Sequence, residues 1–290
     1  MAPSSALFIG LTTIDIQYFV DIFPQSNEKI KTTPPELLVG GPATNAAVAF
    51  AKLGGETFLA SAVGVNGFKS VIEKDFKFTK IKHVDLVCKQ EINAVMASVI
   101  SSRINGDRTI LTHNPGEITS DVQIDTIITD VNPGIVLLDG FYPKTALKAS
   151  ISALDYDVTI VMDCGSWKPQ YYDLLKRADI AICSEDFYPP GCRNSSDVFT
   201  FLKSKGVNQA AISRGGKSIL YYDEDKRGEI EVPQVKVIDT LGAGDFLHGA
   251  FCHFYLNENK YFYIALKKSA ELASKTCEYP GTRSWLNYVI

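Results

Sequence analysis

The stretch VIDTLGAGDFLHGAF, residues 237–251, sets three glycine-or-alanine positions followed by an acid between a β-prone run and a helix-like run. Val235 to Ile238 reads as the end of a strand, and Gly242, Ala243 and Gly244 permit a tight turn with little side-chain bulk. Phe246, Leu247, Ala250, Phe251 and Phe254 then fall on one face of a helix. A helix starting out of such a turn points free N–H groups and the positive end of its dipole outward, which suits an anion such as a phosphate. Asp245, in the first helical turn, has two readings. It is a carboxylate able to take a proton beside that anion, or an acid that caps the helix and complements its dipole.

A second glycine cluster lies upstream. LLVGGPATNAAVAFAKLGG, residues 37–55, places Gly40 and Gly41 before a helix whose first position suits Pro42. Asn45 stands in the first turn, with Ala46, Val48, Ala49 and Phe50 behind it. Two other phosphate motifs fail. GGKS at 215–218 ends like a P-loop, but Ala211 occupies a required glycine position. Gly242 and Gly244 are followed by Leu247 where a dinucleotide fingerprint needs its third glycine.

Elements able to position these residues alternate along the chain. Strand-like runs at 6–12, 57–63, 134–140, 158–163, 179–183 and 209–213 are interleaved with helix candidates such as KTALKASISAL, QYYDLLKRA and SSDVFTFLKSKG. Several runs are continuously apolar, as strands covered on both faces should be. The pattern predicts an α/β fold: a central, mostly parallel sheet with helices on both faces and sites at the strand carboxyl ends. Residues 82–113 depart from it, alternating polar and apolar residues around a turn signal at Asn105-Gly106. They read as antiparallel strands that, with residues of about 14–33, make a small lid sheet on a single domain spanning 1–290. Within INAVMASVI, Ala94, Met96 and Ser98 share one face and Val95, Ala97 and Val99 the other, so one apolar side of the lid is left to cover.

Composition narrows the function. With 46% hydrophobic residues in 290, the chain can bury a substantial core. Its net charge of −4 and lack of like-charge blocks favour neither a nucleic-acid nor a membrane partner. The N-terminus reads as a first strand, not a signal peptide, and no apolar run is long enough to span a membrane, so a cytoplasmic protein is expected. Six cysteines without a C-x-x-C pair and four scattered histidines give no metal-ligand spacing. His248 and His253 do not share a helical face and read as structural or surface residues, and Asn194 as a helix N-cap.

The 37–55 stretch resembles the first signature of the ribokinase-like (PfkB) carbohydrate kinases, and Asp-Thr-Leu-Gly-Ala-Gly-Asp, 239–245, matches their second signature without a mismatch. The two stand in the family's order, about 200 residues apart. The resemblance covers essentially the whole chain. It implies a ribokinase-like fold and ATP-dependent transfer of a phosphoryl group to a sugar hydroxyl. It makes Asp245 the base and Gly242, Ala243 and Gly244 the anion hole, and has Asp15, Gly41 and Asn45 hold the sugar. Ser213, Gly215, Thr240, Gly242 and Cys277 would line the nucleotide side, although Cys277 reads equally well as a buried thiol. ATP and Mg²⁺ are implied, and a monovalent cation such as K⁺ is admitted.

In detail the chain is most similar to ketohexokinases. GDRTIL, 106–111, resembles their GSRTIL segment; Arg108 there reads as a phosphate or substrate contact, or as a surface arginine of the lid. Pro42 stands where those enzymes have a second Asn, and a D-x-N-x-R element of bacterial relatives is altered to Asp163, Gly165 and Trp167. A nucleoside kinase of the same fold and a catalytically silent sugar-binding regulatory member are the other readings. The resemblance also implies a homodimer formed through the lid.

Overall fold

Strands apolar along their whole length settle where both faces are covered, and the computed structural model, which describes residues 4–288, shows where. The chain begins with β1 (Ser5–Ile9), β2 (Thr13–Val20), β3 (Glu36–Gly40), α1 (Pro42–Lys52) and β4 (Glu56–Ser61). Next come α2 (Lys69–Thr79), β5 (Lys82–Asp85), β6 (Val95–Ser102), β7 (Arg108–Thr112), α3 (Ile124–Val131) and β8 (Ile135–Leu138). Then follow α4 (Pro143–Asp155), β9 (Thr159–Cys164), α5 (Tyr171–Leu174), β10 (Ile180–Ser184), α6 (Ser195–Ser204) and β11 (Gln209–Arg214). The last are β12 (Lys217–Asp223), β13 (Lys226–Ile230), α7 (Ala243–Asn257) and α8 (Phe262–Thr276).

Nine strands form one sheet in the order β13-β12-β11-β10-β9-β8-β1-β4-β5, parallel from β11 to β5. Alternate residues of each central strand feed two cores. Phe8, Leu137 and Ile182 pack with Phe50, Phe246 and Phe251 on the side of α1, α7 and α8. Leu7, Leu138 and Cys183 pack with Ala149, Leu174 and Leu202 on the side of α3 to α6. The helix after the acid turn is more enclosed than its predicted apolar face: His248, Gly249 and Cys252 are buried too, because α1 and α8 flank it.

The second sheet has the order β3-β2-β6-β7 and differs in composition from the predicted lid. Residues 82–85 belong to the large sheet as its edge strand, parallel to β4. An edge strand with one solvent face shows the same alternation as a lid strand, so the pattern could not separate them. Residues 21–33 form no strand; β3, which leads directly into the glycine-opened helix α1, takes that place. β2 pairs β6 in parallel, while β3 and β7 pair antiparallel on the flanks. Val95, Ala97 and Val99 turn inward and are buried. The outer face carries Leu37, Ile16, Ser98 and Leu111 in one row across four strands, with Leu37 47% and Leu111 62% exposed.

Residues 235–238 are also not a strand. The chain leaves β13 as a loop whose Ile238 and Asp239 N–H groups donate to the Cys277 carbonyl at 2.8 and 3.1 Å, so the acid turn is tied to the end of α8. Asn194 caps α6 as expected, accepting from Asp197 N–H.

At the carboxyl end of β8, Asp139 fastens three segments together. Its Oδ2 accepts from Leu11 N–H at 2.8 Å and Ala43 N–H at 3.3 Å, and its Oδ1 from Phe141 N–H at 3.0 Å. Burial nonetheless pushes its pKa up to about 6. An Asp139→Asn variant keeps the shape but has one acceptor oxygen where two are used. A loss of about 1–3 kcal/mol of stability is expected, read from the urea midpoint; an unchanged midpoint would show that the second oxygen carries no weight.

Candidate active site

The two glycine clusters come together at the strand carboxyl ends because each opens a helix pointing at the same place. Gly41 is the N-cap of α1 with φ 102°, and a Cβ there would stand 2.3 Å from the Leu11 carbonyl. A Cβ on Gly40 would stand 2.0 Å from Asp15 Oδ2, so the diglycine lets helix, strand and carboxylate approach closely. Gly242, φ 77°, is the N-cap of α7. Across the gap Asn45 Nδ2 donates to Asp245 Oδ2 at 2.9 Å, joining residues 200 apart in the chain. Asp245 Oδ1 has no hydrogen-bond partner among the described residues.

Asp245 remains partly exposed, yet protein atoms crowd it enough that burial, with the negative charge of Asp163 second, pushes its pKa up to about 7. The Asn45 hydrogen bond, the His248 imidazole and the Arg108 guanidinium work in the opposite direction. Asp163 is buried, with Oδ1 3.5 Å from His248 Nε2. His248 itself is buried and faces the Gly244 and Ile182 carbonyls at 2.7 and 3.1 Å, as a structural residue should. Asp15, on β2, is buried and accepts from Thr13 Oγ1 at 2.7 Å; burial raises its pKa against that bond and the charge of Arg283.

The anion turn differs in one donor from the expectation. Ala243 N–H makes a long bond of 3.3 Å to the Thr240 carbonyl, whereas Gly242, Gly244 and Asp245 N–H groups have no acceptor among the described residues. Ala243 and Gly244 face a cavity of about 370 Å³. Arg108, Ser213, Gly215, Thr240 and Cys277 line it too, with Ile219, Val232 and Ala273 as an apolar wall. Cys277 is thus both a buried thiol and a wall residue. Arg108 donates to Thr240 Oγ1, which donates to the Gly106 carbonyl, so the lid hairpin is pinned to the turn. Gly242, Asp245, Asp15, Gly41 and Asn45 do not line this cavity; Asp245 adjoins it as the chain neighbour of Gly244, and Asn45 is bonded to Asp245. A separate cavity of about 460 Å³, lined by Asn114, Phe141, Trp167 and Lys168, holds none of the expected site residues.

Three residues had no signal in the sequence. Arg283 reaches Asn45 Oδ1 and Asp75 from the far end of the chain, and Gln17 Nε2 on the lid donates to Asp239 Oδ2 at 2.6 Å. Contacts between residues more than 200 apart leave no local pattern.

A family model described as "pfkB family carbohydrate kinase" matches residues 4–287. A ribokinase of Dictyostelium discoideum is 23% identical, covering 95% of this chain and 93% of its own. A nucleoside kinase of Methanocaldococcus jannaschii is 24% identical over 86% and 82%. The structure of Arabidopsis thaliana ribokinase with ribose and ATP superimposes with a TM-score of 0.76 at 23% identity, over 97% of this chain and 94% of that one. The chain belongs to the pfkB family of carbohydrate kinases. It has the ribokinase-like fold and, as a member of that family, is an ATP-dependent sugar phosphotransferase. Among the described residues no helix is long and apolar enough to cross a membrane.

With Asp245 titrating near 7, its carboxylate is available above that pH and lost below it. The kcat/KM for phosphorylation is therefore expected to fall roughly tenfold per pH unit on the acid side of about 7. A flat profile from pH 8 to 5.5 would exclude this carboxylate from the reacting form.

Proposed function

We propose that the chain transfers the γ-phosphoryl group of ATP to a hydroxyl of a small sugar, a ketohexose or similar polyol being favoured. The observation that carries the reading is the Asn45–Asp245 contact, made next along α7 to Gly244 in the wall of the 370 Å³ cavity. It leaves Asp245 Oδ1 free to take the proton of an acceptor hydroxyl while Oδ2 is held still. Open N–H groups at the head of α7 would receive the transferring phosphoryl, and Arg108 adds positive charge at the mouth. By the family resemblance Asp15, Gly41 and Asn45, which lie outside that cavity, would meet the hydroxyls of a sugar, which need both donors and acceptors. The ketohexose preference rests on the 106–111 segment, whose Arg108 contacts the anion turn.

No group of three His, Cys, Asp or Glu suited to a metal ion occurs among the described residues. Mg²⁺ would accordingly be held mainly by the nucleotide's phosphates, and when bound it supplies charge neutralisation there. Gln17 Oε1 is buried without a hydrogen-bond partner among the described residues, beside Asp239. That unpartnered oxygen would be a donor to a monovalent cation such as K⁺, which would add positive charge behind the turn.

An Asp245→Asn variant keeps the shape but cannot accept the proton. It should retain ATP binding and lose at least tenfold in kcat, about 1.4 kcal/mol or more, on the best substrate from a panel of ketoses, aldoses and nucleosides. Retained turnover would remove Asp245 as the base, and nucleosides outpacing every sugar would replace the acceptor class.

A homodimer through the lid is the second part of the reading, supported by the uncovered row of Leu37, Ile16 and Leu111 on its outer face. Light scattering is expected to give twice the chain mass of 31.8 kDa. Leu37→Glu with Leu111→Lys should reduce it to one chain. A monomeric wild type, or a dimer indifferent to both changes, would take the lid out of the interface.

A further inference from the structure

Arg283 follows α8 and is buried to within 11% of side-chain exposure against Asp75 of α2. Its guanidinium is saturated. Nε donates to Asp75 Oδ1 at 3.0 Å, and Nη2 to Asp75 Oδ2 at 3.0 Å and the Val39 carbonyl at 2.8 Å. Nη1 donates to Asn45 Oδ1 and the Thr282 carbonyl, each at 3.0 Å. Every N–H of the fork has a protein acceptor, so none is left for a sugar or a phosphate. What the group does is act on Asn45.

An amide side chain can present either end to a neighbour, and the two ends have opposite effects on a carboxyl group. Its NH₂ stabilises the carboxylate; its oxygen stabilises the protonated acid. A guanidinium has donors only, so Asn45 must turn Oδ1 toward Arg283 and Nδ2 toward Asp245. Asp75 holds the guanidinium plane by gripping two of its nitrogens. We propose that Arg283, clamped by Asp75, is a positioning residue that fixes the Asn45 amide with its N–H toward Asp245 Oδ2 and thereby sets the proton affinity of that carboxyl group. The charged or titratable groups acting on Asp245 directly are Asp163 of β9, His248 of α7 and Arg108 of β7. Arg283 reaches it through the amide. That the affected carboxylate is the catalytic base rests on the proposed function; the geometry of the relay does not.

The test reads the carboxyl group itself. In full-length protein labelled with ¹³Cγ-aspartate, the Asp245 signal is assigned by its loss in Asp245→Asn and titrated in each variant. Arg283→Met should raise the midpoint by roughly half a pH unit or more, since the NH₂ end is no longer enforced. Arg283→Lys, which keeps the charge without the fork, and Asp75→Asn should raise it less. In an Asn45→Ala background, Arg283→Met should add nothing. The acid limb of kcat/KM on the best panel substrate should move upward with the midpoint.

An unchanged midpoint in Arg283→Met that still binds ATP overturns the proposal, as does a shift that persists in the Asn45→Ala background. Should Arg283→Met not fold, the same readings on Arg283→Lys and Asp75→Asn decide it: no shift in either overturns it. A midpoint that moves while no substrate of the panel is phosphorylated supports the relay and overturns the proposed function instead.

Discussion

One hydrogen bond, from Asn45 to Asp245, joins the start of α1 to the start of α7, and the site is organised around it. Both helices point their N-termini at the same space, so both dipoles favour negative charge there. A carboxylate at that point is stabilised by the dipoles and by an amide N–H, but is crowded by protein and faces the charge of Asp163. The balance leaves Asp245 near neutrality, the range in which a general base is most effective. A more exposed acid would hold its proton too weakly; a more enclosed one would not give it up.

The same constraint explains the acids around it. Asp139 spends its charge on backbone N–H groups of three segments, and Asp239 on Gln17 of the lid and the N–H groups of Leu241 and Gly281. Both carboxylates accept from N–H groups that would otherwise be unpaired. Asp163 is the exception, with one oxygen buried and without a hydrogen-bond partner among the described residues. Its charge is felt by Asp245.

The lid is connected to this centre by polar contacts from its inner face. Gln17 reaches Asp239, Arg108 reaches Thr240, and Ala97 and Val99 pack with Leu241. All three meet the turn before α7, so the lid hairpin and the anion turn share one rigid seat. Among the described residues the outer face of the lid has no such partner, which is why its row of apolar side chains stands open.

The sequence alone determined the alternation of elements, the two glycine-opened helices and the acid at the head of the second, because each is a local matter of periodicity, turn conformation and capping. Through short motifs it also pointed to Arg108, Ser213, Gly215, Thr240 and Cys277 of the cavity wall, but not to its apolar residues Ile219, Val232 and Ala273. It did not distinguish an edge strand of the main sheet at 82–85 from a lid strand, nor a loop at 235–238 from a strand end, since alternation and β-propensity are the same in both. Which face of the 95–102 strand is covered was decided by what Leu241 and the core bring against it. Only the tertiary structure placed Arg283 and Asp75, 208 residues apart, behind Asn45. The reason is physical: propensities and caps act within a few residues, whereas the orientation of an amide and the proton affinity of a buried acid are set by whatever the fold packs against them.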